Sequence, residues 1–171
     1  MRLPREISGV VLVAMSCAFC RSVPADAATQ IVKVNAQVSK PLTLTFVQNL
    51  DLGTVVLGPG TWSGATVGIS RTGTFSCGNV NVACTGATQV ATYNASGSNG
   101  ATARITAPNV ILTNQSDPTK TLTLAIDSPG TIVFTNSGNK GVDFSLGGSI
   151  SLSSATVGGV YSGTFNVTVD Y

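Results

Sequence analysis

The sequence contains no histidine. Its one glutamate is Glu6, so residues 28–171 hold none. Ser-His-Asp and Cys-His catalysis are therefore excluded. A catalytic carboxylate pair would have to come from five scattered aspartates: Asp51, Asp117, Asp127, Asp143 and Asp170. Charge is scarce. Charged residues make up 9%, against about a quarter in ordinary globular chains. From residue 28 onward, six lysines and arginines face those five aspartates, a net charge of +1. No basic patch offers itself to nucleic acid, and no acidic tail exists. There is no Asp-x-Asp calcium loop. No glycine-rich loop ends in Gly-Lys-Ser/Thr, and Gly138-Asn139-Lys140-Gly141 reads as a hairpin turn. The expectation is a chain without enzymatic activity or cofactor.

A long apolar run is also missing. Ile7 to Cys20 carries no charge, but it spans only 14 residues, short of the roughly 20 needed to cross a bilayer. Arg2 and Arg5 precede it, and Ala25-Asp26-Ala27 offers a small-x-small cleavage site. Residues 1–27 therefore read as a Sec signal peptide, with Ala28 the first mature residue and no stable membrane span after cleavage. The expected route leads to the periplasm, then to the cell surface or the medium. Two alternatives remain: an uncleaved anchor, and a lipoprotein at Cys17, which follows Ala14-Met15-Ser16 and lacks the leucine of a strong lipobox.

Cysteine is sparse but even in number. Cys17 and Cys20 leave with the signal, and Cys77 and Cys84 remain. In an oxidising compartment such a pair reads as a disulfide. The intervening Gly-Asn turn signal predicts that it closes a tight hairpin, stabilising by about 2.5 kcal/mol on the loop-entropy scale. A redox pair or metal site is the competing reading, and zinc lacks partners of suitable type and spacing.

What is abundant is alternation. Over the last eleven residues Tyr161, Gly163, Phe165, Val167, Val169 and Tyr171 alternate with Ser162, Thr164, Asn166, Thr168 and Asp170. One face of such a strand belongs in a core and the other in water. Val32, Val34, Ala36 and Val38 alternate in the same way with Lys33, Asn35, Gln37 and Ser39, which predicts a strand directly after the cleavage site. Between these ends, short alternating stretches recur with turns such as Gly58-Pro59-Gly60 at 8–12-residue spacing. The expected fold is all-β: a single immunoglobulin-like or pilin-like β-sandwich of about ten short strands over residues 28–171. Trp62 sits in a predicted loop, where it either caps the core or stacks on a sugar. Tyr93 is expected to face the core. Asn94-Ala-Ser, Asn114-Gln-Ser and Asn166-Val-Thr match the glycosylation pattern and read as chance in a chain of this composition.

Three segments carry a resemblance. They are Leu50-Asp-Leu-Gly-Thr-Val, Phe144-Ser-Leu-Gly-Gly-Ser-Ile-Ser-Leu and Gly159-Val-Tyr-Ser-Gly-Thr-Phe-Asn-Val-Thr-Val-Asp-Tyr171. Together they look like an uncharacterised family (a domain of unknown function) of small secreted bacterial proteins. That family ends in Gly-x-Tyr-Ser-Gly-Thr-Phe-x-Val-x-Val-x-Tyr. More loosely, the chain is similar to chaperone–usher fimbrial subunits, whose closing strand has a glycine near its start and an aromatic near its end. Gly158 and Tyr171 fall at such places, although Tyr171 is last rather than next to last and the cysteine pair is local. The resemblance implies a fimbrial or adhesive subunit. Residues 28–40 would be the candidate strand donated to another copy or a related subunit. A periplasmic chaperone and an outer-membrane assembly protein would be its handling partners. Whether residues 28–40 pair in cis or in trans stays open. The other expectation is a monomeric extracellular binding module, with carbohydrate as the candidate ligand of loops at one end of the sandwich.

Overall fold

The computed structural model describes residues 30–135 and 140–171. The predicted signal peptide and most of the turn predicted at 137–141 lie outside them. The described residues contain no helix. The strands are β1 (Thr43–Gln48), β2 (Thr54–Leu57), β3 (Ala65–Ile69), β4 (Phe75–Ser76), β5 (Val82–Thr85), β6 (Ala91–Ser96) and β7 (Thr102–Thr106). They continue with β8 (Val110–Asn114), β9 (Thr121–Asp127), β10 (Thr131–Val133), β11 (Val142–Leu152), β12 (Tyr161–Ser162) and β13 (Thr168–Asp170). The fold is all-β, as expected, and is consistent with a β-sandwich. Thirteen strands, several of only two or three residues, lie among the described residues, roughly matching the ten or so short strands expected.

The largest sheet has eight strands. Its main path runs β1-β6-β11-β9-β8-β12, and β3 and β4 branch from β11. A second sheet is β10-β7-β13, and β2 with β5 forms a separate ribbon. Every ladder is antiparallel. The long strand β11 joins the parts. Val142–Leu146 pairs with β6, while Gly147–Ile150 pairs with β9 and Gly148–Leu152 with β3. The exchange of partners falls at Gly147-Gly148. A Cβ on Gly147 would lie 2.5 Å from Arg71 N and would also strike Ile69 O, so only glycine lets the backbones approach this closely.

Two apolar clusters fill the interior. One gathers Ala65, Val67, Val82, Val110, Leu124, Ile150 and Leu152. The other gathers Ala91, Ala95, Ala103, Ile105, Phe134, Phe144 and Leu146. Leu50, Ile126 and Phe165 pack against both. Phe46, Tyr93 and Phe144 form an aromatic row across β1, β6 and β11, with centroid separations of 5.8 and 5.6 Å. Tyr93 thus faces the core cluster, and burial raises the pKa of its phenol.

Three sequence expectations change. The predicted strand at 31–38 is not formed: no residue from 30 to 42 lies in a strand. Alternation supplies a face, but a strand also needs a neighbour to bond. The closing strand at 161–171 is divided. β12 pairs with β8, β13 pairs with β7, and the chain crosses between two sheets from 163 to 167. The cysteine bridge forms, but it does not close a hairpin. Cys77 follows β4, whose ladder partner is β3, whereas Cys84 lies in β5, which pairs with β2. The bridge therefore ties the ribbon to the large sheet.

Candidate functional site

The segment that precedes the folded strands is apolar on alternate residues. Ile31, Val32, Val34 and Val38 are 78–93% exposed, and Ala36 is exposed with them. Water normally strips such a row from the surface of a finished domain. The folded part takes hold of the chain at Lys40. The Lys40 N–H donates to Ser98 Oγ at 2.6 Å. The Tyr171 hydroxyl donates to the Lys40 carbonyl at 2.8 Å and accepts the Ser98 N–H at 2.7 Å. The Tyr171 ring meets Phe134 edge to face at 6.3 Å. The last residue of the predicted closing strand therefore holds the backbone at Lys40, two residues after Val38.

The other predicted closing-strand residues keep their inward face despite the division. Phe165, Val167 and Val169 pack against core clusters, and Tyr161 is half-buried. The Tyr161 hydroxyl donates to the Val157 carbonyl at 2.7 Å. Gly163 lies flush on β8, where a Cβ would come 2.8 Å from Ile111 O.

A hollow of about 910 Å³ opens beside this segment. Residues 49–55 and Leu57 line one side, and residues 156–165 line the other. Leu112, Leu122, Leu124, Ile150 and Leu152 also line it. Asp51 is its one charged lining residue, and the Asp51 carboxylate accepts the Gly53 N–H at 2.8 Å. Sequence reasoning missed this hollow, because it is formed by segments about a hundred residues apart. No local pattern signals that two such segments leave a gap.

Trp62 lies elsewhere and packs against the first core cluster. Its indole N–H donates to the Gly58 carbonyl at 3.1 Å, and its backbone is bonded to Ser154. Among the described residues, no three histidines, cysteines, aspartates or glutamates gather as metal ligands. No helix among them is long and apolar enough to cross a membrane.

Among the described residues the geometry thus consists of an exposed apolar row, a backbone held at Lys40 and an open hollow of mixed polar and apolar lining, with no three metal-ligating side chains gathered. No curated protein and no solved structure matches the chain. A family model described as a domain of unknown function, DUF4402, matches residues 42–171, and the chain belongs to that family.

Proposed function

We propose that the chain is a non-catalytic, exported, pilin-like subunit of a surface fibre, structural or adhesive in role. It joins its neighbour by donating residues 28–40 as a strand. The observation that carries this reading is the exposed alternating row from Val32 to Val38, which lies in no strand and directly precedes the folded domain. Burying Val32, Val34 and Val38 would contribute roughly 5–9 kcal/mol, at about 1.5–3 kcal/mol for each side chain. Association itself costs an estimated 4–15 kcal/mol. Side-chain burial alone therefore sits near break-even, and main-chain ladder bonds must supply the surplus, as in other strand-addition complexes. Export through the Sec route, with a periplasmic chaperone and an outer-membrane assembly protein as partners, belongs to the same proposal. Such partners would cover the row before assembly, since an uncovered row aggregates.

Material sheared from the surface of producing cells tests it. Without boiling, gel electrophoresis should give a ladder of multiples that collapses to monomer on boiling. Val34→Asp puts a charge into the row and should leave monomer only. A single monomer band for the unaltered protein in both lanes would overturn the reading.

A further inference from the structure

We infer that the open hollow between residues 49–57 and residues 156–165 binds a neutral carbohydrate, a short oligosaccharide laid along the cleft. The inference deepens the adhesive side of the proposed role and rests on that side alone, not on strand donation. At about 910 Å³ the hollow lies within the roughly 300–1,000 Å³ that small-ligand sites occupy.

Its lining selects the chemistry. Buried Leu124, Ile150 and Leu152 give it an apolar floor, while Asn49, Gln89 and Thr164 give it a polar, uncharged rim. Asp51 is the one charge, and no lysine or arginine among the described residues lines the hollow. A phosphate, sulfate or carboxylate ligand would find no cation to pair with and would be repelled by Asp51. A bare acyl chain would cover the rim amides without bonding them, which costs free energy. A sugar ring suits both halves, with C–H faces for the floor and hydroxyls for the rim. Both walls already have ladder partners, β5 for β2 and β8 for Tyr161 and Ser162, so neither calls for a peptide strand.

The polar groups are placed to be used. Asp51 and Gln89 exchange backbone bonds, each N–H donating to the other's carbonyl at 2.9 Å. Residues paired in this way present their side chains on one face. The Gly53 N–H holds Asp51 Oδ1 at 2.8 Å, which orients the carboxylate and leaves Oδ2 to accept from a ligand. Beside it the Gln89 carboxamide both donates and accepts, as neighbouring sugar hydroxyls do. Among the described residues the carboxamides of Asn49 and Gln89 have no hydrogen-bond partner in the protein.

Tyr93 is the observation that points most directly to a ligand. It lines the hollow half-buried, with its ring held against Phe46 and Phe144, yet its hydroxyl has no partner among the described residues. A buried phenol normally finds one. On the opposite wall the Tyr161 hydroxyl is fixed to the Val157 carbonyl at 2.7 Å, so its ring is a set aromatic surface. Trp62, the sugar platform suggested by the sequence, is instead committed to the core and to the Gly58 carbonyl.

The test probes an array of neutral glycans, acidic glycans and uncharged peptides with labelled mature chain, both unaltered and Val34→Asp. At least one neutral glycan should bind both proteins. Binding to no neutral glycan, or tighter binding to acidic glycans or peptides, would overturn the inference. The bound glycan is then titrated into nitrogen-15-labelled chain. Amide shifts should gather at Asn49–Leu52, Gln89 and Tyr161–Thr164, and shifts confined to residues 58–64 around Trp62 would place the site elsewhere and overturn it. Gln89→Ala and Tyr93→Phe each remove one hydrogen-bonding group and should each weaken binding about three- to tenfold, with urea midpoints confirming that the fold persists. Trp62→Phe should leave affinity unchanged, and the opposite pattern would refute the assignment. A gel ladder without glycan binding would sink this inference and leave strand donation standing. Glycan binding without a ladder would do the reverse.

Discussion

Asn114 shows how much one side chain decides here. It is 1% exposed and is the one polar residue fully closed off from solvent among the described residues. Its Nδ2 donates to the Gly158 carbonyl at 3.2 Å, and its Oδ1 accepts the N–H groups of Ser116 and Asp117 at 2.9 and 3.2 Å. One amide thus pins the turn after β8 to the segment leading into β12, the wall of the hollow. Gly159 gives way to it: at φ 146° a Cβ there would stand 2.9 Å from Asn114 Cγ. The Asn-Gln-Ser pattern at 114 accordingly marks a structural amide, because its nitrogen is committed inside the fold. Asn114→Ala strands a carbonyl and two N–H groups in part-buried surroundings, so it should cost about 2–4 kcal/mol in urea unfolding. Gln115→Ala removes exposed bonds only and should cost under about 1 kcal/mol. Equal losses for the two variants would show that burial of the amide is not what matters.

At the scale of elements, β11 sets the architecture, and Gly147 is where it changes partners. Gly147→Ala would push a Cβ into the backbone of Ile69–Arg71, and backbone cannot rotate away as a side chain can. The expected loss is about 3 kcal/mol or more, or failure to fold. At Gly158 a Cβ would meet nothing within 4 Å, so Gly158→Ala should cost under about 1 kcal/mol. Matching urea midpoints for the two variants would refute this account of the strand exchange. The recurrent alternation was legible in the sequence, as was the pairing of Cys77 with Cys84. Which strand neighbours which was not. Alternation reports that a face exists and says nothing of the bonding edge. For that reason residues 31–38 and 161–171 read alike in sequence, yet one joins no ladder and the other joins two sheets. Phe165, between β12 and β13, packs against both clusters, so a continuous apolar face hides the crossing.

For the molecule as a whole, the missing histidine returns as a prediction about pH. Residues 28–171 contain no side chain whose ordinary pKa falls between about 5 and 8. Stability should therefore be flat across that range, and the edges should come from groups that folding perturbs. The Arg71 backbone N–H donates to Asp127 at 2.8 Å, and this bond, aided by the Arg71 guanidinium at 2.7 Å, holds the Asp127 carboxyl below the usual range despite partial burial. The Asp117 carboxylate is lowered in the same sense by the Thr119 hydroxyl at 2.6 Å and by the Thr119 N–H at 3.1 Å. A carboxyl with a lower pKa in the folded than in the unfolded chain stabilises the fold above its unfolded value of about 3.9, and that contribution fades as pH falls through the folded value. The urea midpoint should thus hold level from about pH 5 to 8 and drop below about pH 4. At the other edge burial raises the Tyr93 pKa. Above about pH 10 the unfolded chain ionises its tyrosine more readily than the fold does, and stability should fall again. Asp127→Asn removes one of the groups that must take up a proton, so its acid limb should be shallower than that of the unaltered protein. A midpoint that moves between pH 5 and 8, or an Asp127→Asn limb as steep as the original, would mean that other groups govern the pH response.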